Sequence, residues 1–136
     1  MGLVTDGGLV SLQSPLGRVL GLGSAKDGVH HWWVQRLTSV AMIPLGVWML
    51  VSLLALPSLD YTTVHTWIAH GWTAFLLSLV IGVATWHSQL GMQVIIEDYV
   101  HSGAKTIALV LSTFAHLFIG AAAVFATLRI AFGGAA

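Results

Sequence analysis

The chain has 136 residues, of which 57% are hydrophobic and only 7% charged, with a net charge of zero. Soluble domains carry roughly 25% charged residues, so water is not the solvent this surface is built for. The neutral balance of five basic and five acidic side chains excludes an electrostatic partner such as nucleic acid. The absence of cysteine excludes disulfides, Cys-ligated zinc and Cys-held iron–sulfur clusters.

The N-terminus reads as no targeting segment. Its first fifteen residues carry no basic side chain and include Asp6, whereas a secretory signal opens positive and then runs apolar. Only Arg18 is available for a transit peptide, and Asp6 stands where myristoylation prefers Ser or Thr. A bacterial inner membrane is the expected address. Residues 1–35 form an expected cytoplasmic segment, with a short amphipathic stretch around Leu16–Leu22 suited to a membrane surface. Gly21-Leu22-Gly23-Ser24-Ala25-Lys26 faintly resembles a phosphate loop. It misses both glycine spacings and no strand precedes it, so it reads as a linker.

Three long uncharged runs follow, predicting an all-α integral membrane protein with three transmembrane helices in an antiparallel bundle. Residues 36–56 form the first expected span, with Leu37–Leu56 long enough for roughly 30 Å of helix; Pro44 invites a kink and Pro57 and Asp60 end it. Residues 57–71 are expected as a periplasmic loop, 72–96 as the second span and 97–105 as a cytoplasmic loop. Residues 106–129 are the third span, and 130–136 a periplasmic C-terminus. Arg18, Lys26 and Arg36 precede the first span and Lys105 lies in the second loop, which places the N-terminus and that loop in the cytoplasm. Trp32, Trp33, Trp67, Trp72 and Tyr99 fall near the expected interfaces, as an aromatic belt should.

Two histidines fall inside spans, His87 and His116, each about 16 Å deep at 1.5 Å per residue. A ring nitrogen in hydrocarbon needs a partner, so each is a functional hypothesis. Around His87 stand Ser88, Gln89, Gln93 and, one turn on, Gly91, where something bulky can approach the backbone. Packing between helices and axial ligation of haem iron both suit this histidine. Zinc suits it less, since no carboxylate or second histidine nearby completes a site. At the end of the second span Glu97-Asp98-Tyr99-Val100-His101 has two readings. One is a solvated belt; the other is a quinone-head site, with a phenol donating to a carbonyl oxygen and acids relaying protons. Arg36 likewise reads as an interface anchor or as partner to a haem propionate.

His87-Ser88-Gln89-Leu90-Gly91-Met92-Gln93-Val94-Ile95-Ile96-Glu97-Asp98-Tyr99-Val100 resembles the H-x-x-x-G-[ML]-x-x-[VI]-x-x-D-Y-[VI] segment of the hydrophobic membrane anchors of succinate dehydrogenase, of the haem b-containing type. Upstream, Gly28-Val29-His30-His31-Trp32-Trp33-Val34-Gln35-Arg36-Leu37-Thr38 is similar to that family's approach to its first span. The resemblance covers roughly residues 28–105, and the third span matches only as a span. It implies a complex II of four subunits: a flavoprotein holding FAD, an iron–sulfur protein, and two anchors, the second being a cytochrome b subunit. It further implies His87 as an axial ligand of haem b and Arg36 at a propionate, with His30 as a second propionate or interface residue. Tyr99, with Asp98 beside it, is implied at the ubiquinone head. The second haem ligand is expected from the other anchor, leaving His116 as an interhelical residue. The chain is then a subunit of the enzyme and not catalytic alone. A quinol:fumarate reductase anchor, a small transporter or channel using His87, Gln93 and His116 as a polar path, and an anchor without cofactor are the alternatives.

Overall fold

The computed structural model describes residues 4–5, 8–9, 25–101 and 103–133. It divides into two compact units, residues 1–33 and 34–136. In the first, strands β1 (Val4–Thr5) and β2 (Gly8–Leu9) pair antiparallel, Val4 opposite Leu9 and Thr5 opposite Gly8. The amphipathic stretch 16–22 lies outside the described residues. Among the described residues the other regular elements are helices: α1 (Ala25–Leu54), α2 (Tyr61–Ala69), α3 (Gly71–Tyr99) and α4 (Gly103–Phe132).

Three of these helices are long and apolar enough to cross a membrane, at Val29–Leu54, Gly71–Tyr99 and Gly103–Phe132. The second and third outrun at both ends the uncharged runs that predict them, and the first does so at its N-terminal end while stopping at Leu54, two residues short of the expected 56; a helix does not end where the hydrocarbon does. Charged residues carry good helix propensity, and only a broken backbone or an extended residue stops the hydrogen-bond ladder. Thus α1 begins at Ala25, ahead of the expected boundary at 36, and places Arg36 inside the helix rather than before it. The helix also continues through Pro44, whose ring supplies no N–H to the carbonyl one turn back.

The expected loop 57–71 contains the short helix α2. Asp60 caps it: its carboxylate accepts the Thr63 backbone N–H at 2.9 Å, the Thr63 hydroxyl at 3.0 Å and the Ser58 hydroxyl. Those donors, led by Ser58, hold the Asp60 carboxyl down to about 2. Trp67 of α2 stacks on Trp48 of α1, with ring centroids 6.1 Å apart and an interplanar angle of 20°. His70 alone separates α2 from α3. Its extended backbone (φ −70°, ψ 121°) interrupts one helix and precedes the next.

Packing is closest between α3 and α4, whose contacts run in opposite chain directions: Thr85 meets Gly120, Ser88 meets His116, and Gln89 meets Thr113. A Cβ on Gly120 would lie 3.0 Å from the Thr85 methyl and 3.1 Å from its hydroxyl, so the absent side chain lets the helices approach. Thr127 is buried farther along, its hydroxyl donating to the Ala123 carbonyl at 2.9 Å. Among the described residues only Ala74, Leu90 and Ile96 form a buried apolar core, while Leu37, Ile43, Phe118 and Ile119 lie on the outside. A helix that is apolar on its outer face belongs in lipid or against another apolar chain. Gly120→Leu is expected to force α3 and α4 apart and to destabilise the bundle by about 1–3 kcal/mol, an overpacking cost. Steric-trap or denaturant unfolding in bicelles would measure it; wild-type stability in that variant would mean the contact is not tight.

Candidate functional site

His87 lies on α3 twelve residues before the helix ends, and it faces α1. Its Nδ1 is 2.9 Å from the Thr38 hydroxyl oxygen, a contact across 49 residues of sequence. Thr38 donates its own proton to the Gln35 carbonyl at 2.9 Å, and Ser39 donates to the same carbonyl at 2.8 Å. Such back-bonding is how Ser and Thr hydroxyls settle inside an apolar helix. One turn along α3, a Cβ on Gly91 would come 3.9 Å from the side-chain amide nitrogen of Gln35, an ordinary contact distance that places this glycine against α1. His87 is half-buried. Among the described residues no group hydrogen-bonds its Nε2.

Arg36 follows Gln35 on α1, so it sits within about 3 Å of the level of Thr38 along the helix axis, and it is exposed. Arg36 thus lies within α1, two residues before the Thr38 that contacts the imidazole. His30 is exposed on the N-terminal part of α1. His31 beside it has a shielded Nε2 with no hydrogen-bond partner among the described residues.

His116 differs from His87 in every contact. Its Nδ1 donates to the Ser112 carbonyl at 2.8 Å, and its Nε2 meets the Ser88 hydroxyl of α3 at 3.2 Å. Both ring nitrogens are engaged, and neither offers a lone pair to a metal. With Gln89 Nε2 donating to the Thr113 hydroxyl at 3.3 Å, this histidine belongs to a polar seam joining α3 to α4. A groove of about 480 Å³ runs beside that seam, lined by Gly82, Trp86, Leu117 and Val124 among others.

The far end of α3 carries the acidic-aromatic corner. Gln93 donates to the Glu97 carboxylate at 2.9 Å, and Lys105 of α4 donates to the Glu97 backbone carbonyl at 3.1 Å. That ammonium satisfies an orphan carbonyl at the negative end of the α3 dipole. Asp98 is exposed, and Tyr99, the last residue of α3, is 79% exposed. Tyr99 stands about 18 Å beyond His87 along the axis and is rotated by roughly 120°, while Asp98 falls nearly in line with His87. The structure thus joins His87 to Thr38, which the sequence pattern does not single out, and keeps the Tyr99 corner separate. A hydroxyl two residues after Arg36 was the available signal, but threonines are common in such helices.

Among the described residues no three His, Cys, Asp or Glu side chains gather as a metal site. Iron in a haem asks less, since the porphyrin fills four positions and a protein supplies only axial ligands. Three apolar spans with an interior polar site define a multi-pass helical membrane protein. The model of the succinate dehydrogenase/fumarate reductase transmembrane subunit matches residues 11–128, and the chain belongs to that family. The succinate dehydrogenase hydrophobic membrane anchor subunit of Rickettsia conorii is 30% identical over 95 residues, 68% of this chain and 75% of the relative. That of Rickettsia bellii is 35% identical over 78 residues, 57% of this chain and 62% of its own length. The Paracoccus denitrificans protein of that name is 26% identical over 113 residues, covering 83% and 88% of the two chains. No solved structure matches.

The seam has a measurable strength. Ser88→Ala, His116→Leu and the double variant are expected to show a coupling of about 0.6 kcal/mol, the average for a hydrogen bond between membrane helices. A coupling of zero in this cycle would remove the seam from the forces holding α3 to α4.

Proposed function

We propose that this chain is the hydrophobic membrane anchor of a succinate:ubiquinone oxidoreductase in a bacterial inner membrane. With a second anchor, the cytochrome b subunit, it holds the iron–sulfur and flavoprotein subunits against the bilayer. FAD and the iron–sulfur clusters reside in those partners, so this chain serves the enzyme without touching the dicarboxylate. The N-terminus and the corner at Tyr99 face the cytoplasm, and the C-terminus faces the periplasm.

One observation carries the reading: a mid-span imidazole held through Nδ1, with its Nε2 free of hydrogen bonds among the described residues, one turn from Gly91. These features fit one axial position of a haem b, whose second ligand comes from the other anchor. A haem held there would supply one-electron transfer. His87 would hold its iron, Arg36 would pair with a propionate, and His30 would be a second basic group for a propionate or for the subunit interface. At the cytoplasmic corner the Tyr99 phenol donates a hydrogen bond to a ubiquinone carbonyl, and Asp98 is its acidic neighbour. The exposure of Tyr99 supports this role, because a lipid-soluble head reaches such a group from the membrane.

The family description covers fumarate reductases as well, which favours a quinol:fumarate reductase anchor as the second reading. A transporter path gains less support. His116 is tied into the α3–α4 seam and Gln93 to Glu97.

In the complex purified with its partners, His87→Ala is expected to lose or shift the reduced-minus-oxidised b-haem spectrum. An unaltered spectrum in that variant would sink the ligand assignment. Tyr99→Phe is expected to leave assembly and succinate oxidation by artificial acceptors intact. It should slow ubiquinone reduction about tenfold, the kinetic equivalent of one hydrogen bond of ~1.4 kcal/mol. Steady-state assays with the two acceptors make the comparison, and equal slowing with both would place the defect outside the quinone site.

A further inference from the structure

We infer that Thr38 is a positioning residue for the haem site, fixing His87 in the Nδ1–H tautomer so that Nε2 presents its lone pair to iron. This inference rests on the reading of His87 as an axial ligand and adds a residue from another helix to it.

The argument is one of proton counting. The Thr38 hydroxyl owns a single proton, and the Gln35 carbonyl 2.9 Å away can only accept. Two bare oxygens at that separation repel, so the hydroxyl proton lies between them. The 2.9 Å contact from Thr38 to His87 Nδ1 must then be bridged by a proton on the ring nitrogen. A neutral imidazole carries only one proton, so Nε2 is left with a free pair. The chain reads His87 Nδ1–H to Thr38 O–H to Gln35 C=O, each donor passing polarisation toward the next acceptor. Gln35 accepts a second hydroxyl from Ser39 at 2.8 Å, so its carbonyl is a well-filled end point.

His116 supplies the internal contrast. Its Nδ1 is also held by an oxygen acceptor, the Ser112 carbonyl, but Ser88 occupies its other nitrogen, so the same tautomer there yields no ligand. What distinguishes His87 is the acceptor offered from α1, with the opposite side of the ring left open. An axial histidine whose remote N–H is hydrogen-bonded gains basicity and holds one orientation. That stabilises the ferric state, so the hydrogen bond holds the potential down.

Two measurements decide the matter. In the full chain in lipid nanodiscs without haem, ¹⁵N-histidine NMR, assigned by difference against His87→Gln, is expected to show His87 protonated at Nδ1 with a pyridine-type Nε2. A proton on Nε2 overturns the inference, whatever the haem measurements give. In the purified complex Thr38→Val, which keeps the branched shape but accepts nothing, is expected to retain haem. Its midpoint potential should rise and its low-spin ferric EPR signal should shift, and Thr38→Ser should restore both. A Thr38→Val complex with full haem, unchanged potential and unchanged EPR signal also overturns it. An intact haem spectrum in His87→Ala would defeat the ligand reading instead, and the NMR result would still judge the Thr38–His87 tautomer alone.

Discussion

Within hydrocarbon no water repairs an unpaired polar group, and this requirement organises the polar residues of the three spans. Each hydroxyl in the spans that is hydrogen-bonded to backbone returns its proton to a carbonyl three or four residues back: Thr38 and Ser39 to Gln35, Ser78 to Ala74, Thr113 to Leu109, Thr127 to Ala123. Having disposed of their protons locally, Thr38 and Thr113 remain acceptors, and both are used across helices. Two of the polar contacts between helices, Thr38–His87 and Gln89–Thr113, therefore follow from a local rule.

From that rule come two histidines with different duties. His116 is closed on both sides by serine and backbone and ties α3 to α4 alongside the tight Thr85–Gly120 approach. His87 is closed on one side only, by α1. The same helix that carries both Ser88 and His87 turns adjacent residues toward different neighbours, as a 100° step requires. Membership in the succinate dehydrogenase/fumarate reductase transmembrane subunit family gives the open side its proposed use.

Hydropathy made the three spans legible, because twenty apolar residues in a row have few alternatives. The midspan depth of His87 followed from counting residues. Helix α2 escaped notice because its Thr-rich sequence has poor helix propensity, although Asp60 ahead of Tyr61 was a usable cap signal. The start of α1 was hidden by Lys26, Asp27 and Gly28, which look like linker chemistry yet continue the ladder. The Thr38–His87 contact was beyond any periodicity, since it depends on how two helices are rotated against each other. Composition sets which face is apolar. It does not set which hydroxyl meets which ring.

The thinness of the interior has a consequence for how this protein can be handled. Among the described residues only three apolar side chains are buried, so molecules outside the chain touch nearly every leucine and phenylalanine among them. A melting temperature taken in detergent is then a property of the micelle as much as of the polypeptide. Acyl-chain length, lateral pressure and headgroup composition become thermodynamic variables of the fold itself, and two laboratories using different amphiphiles would be measuring different reference states.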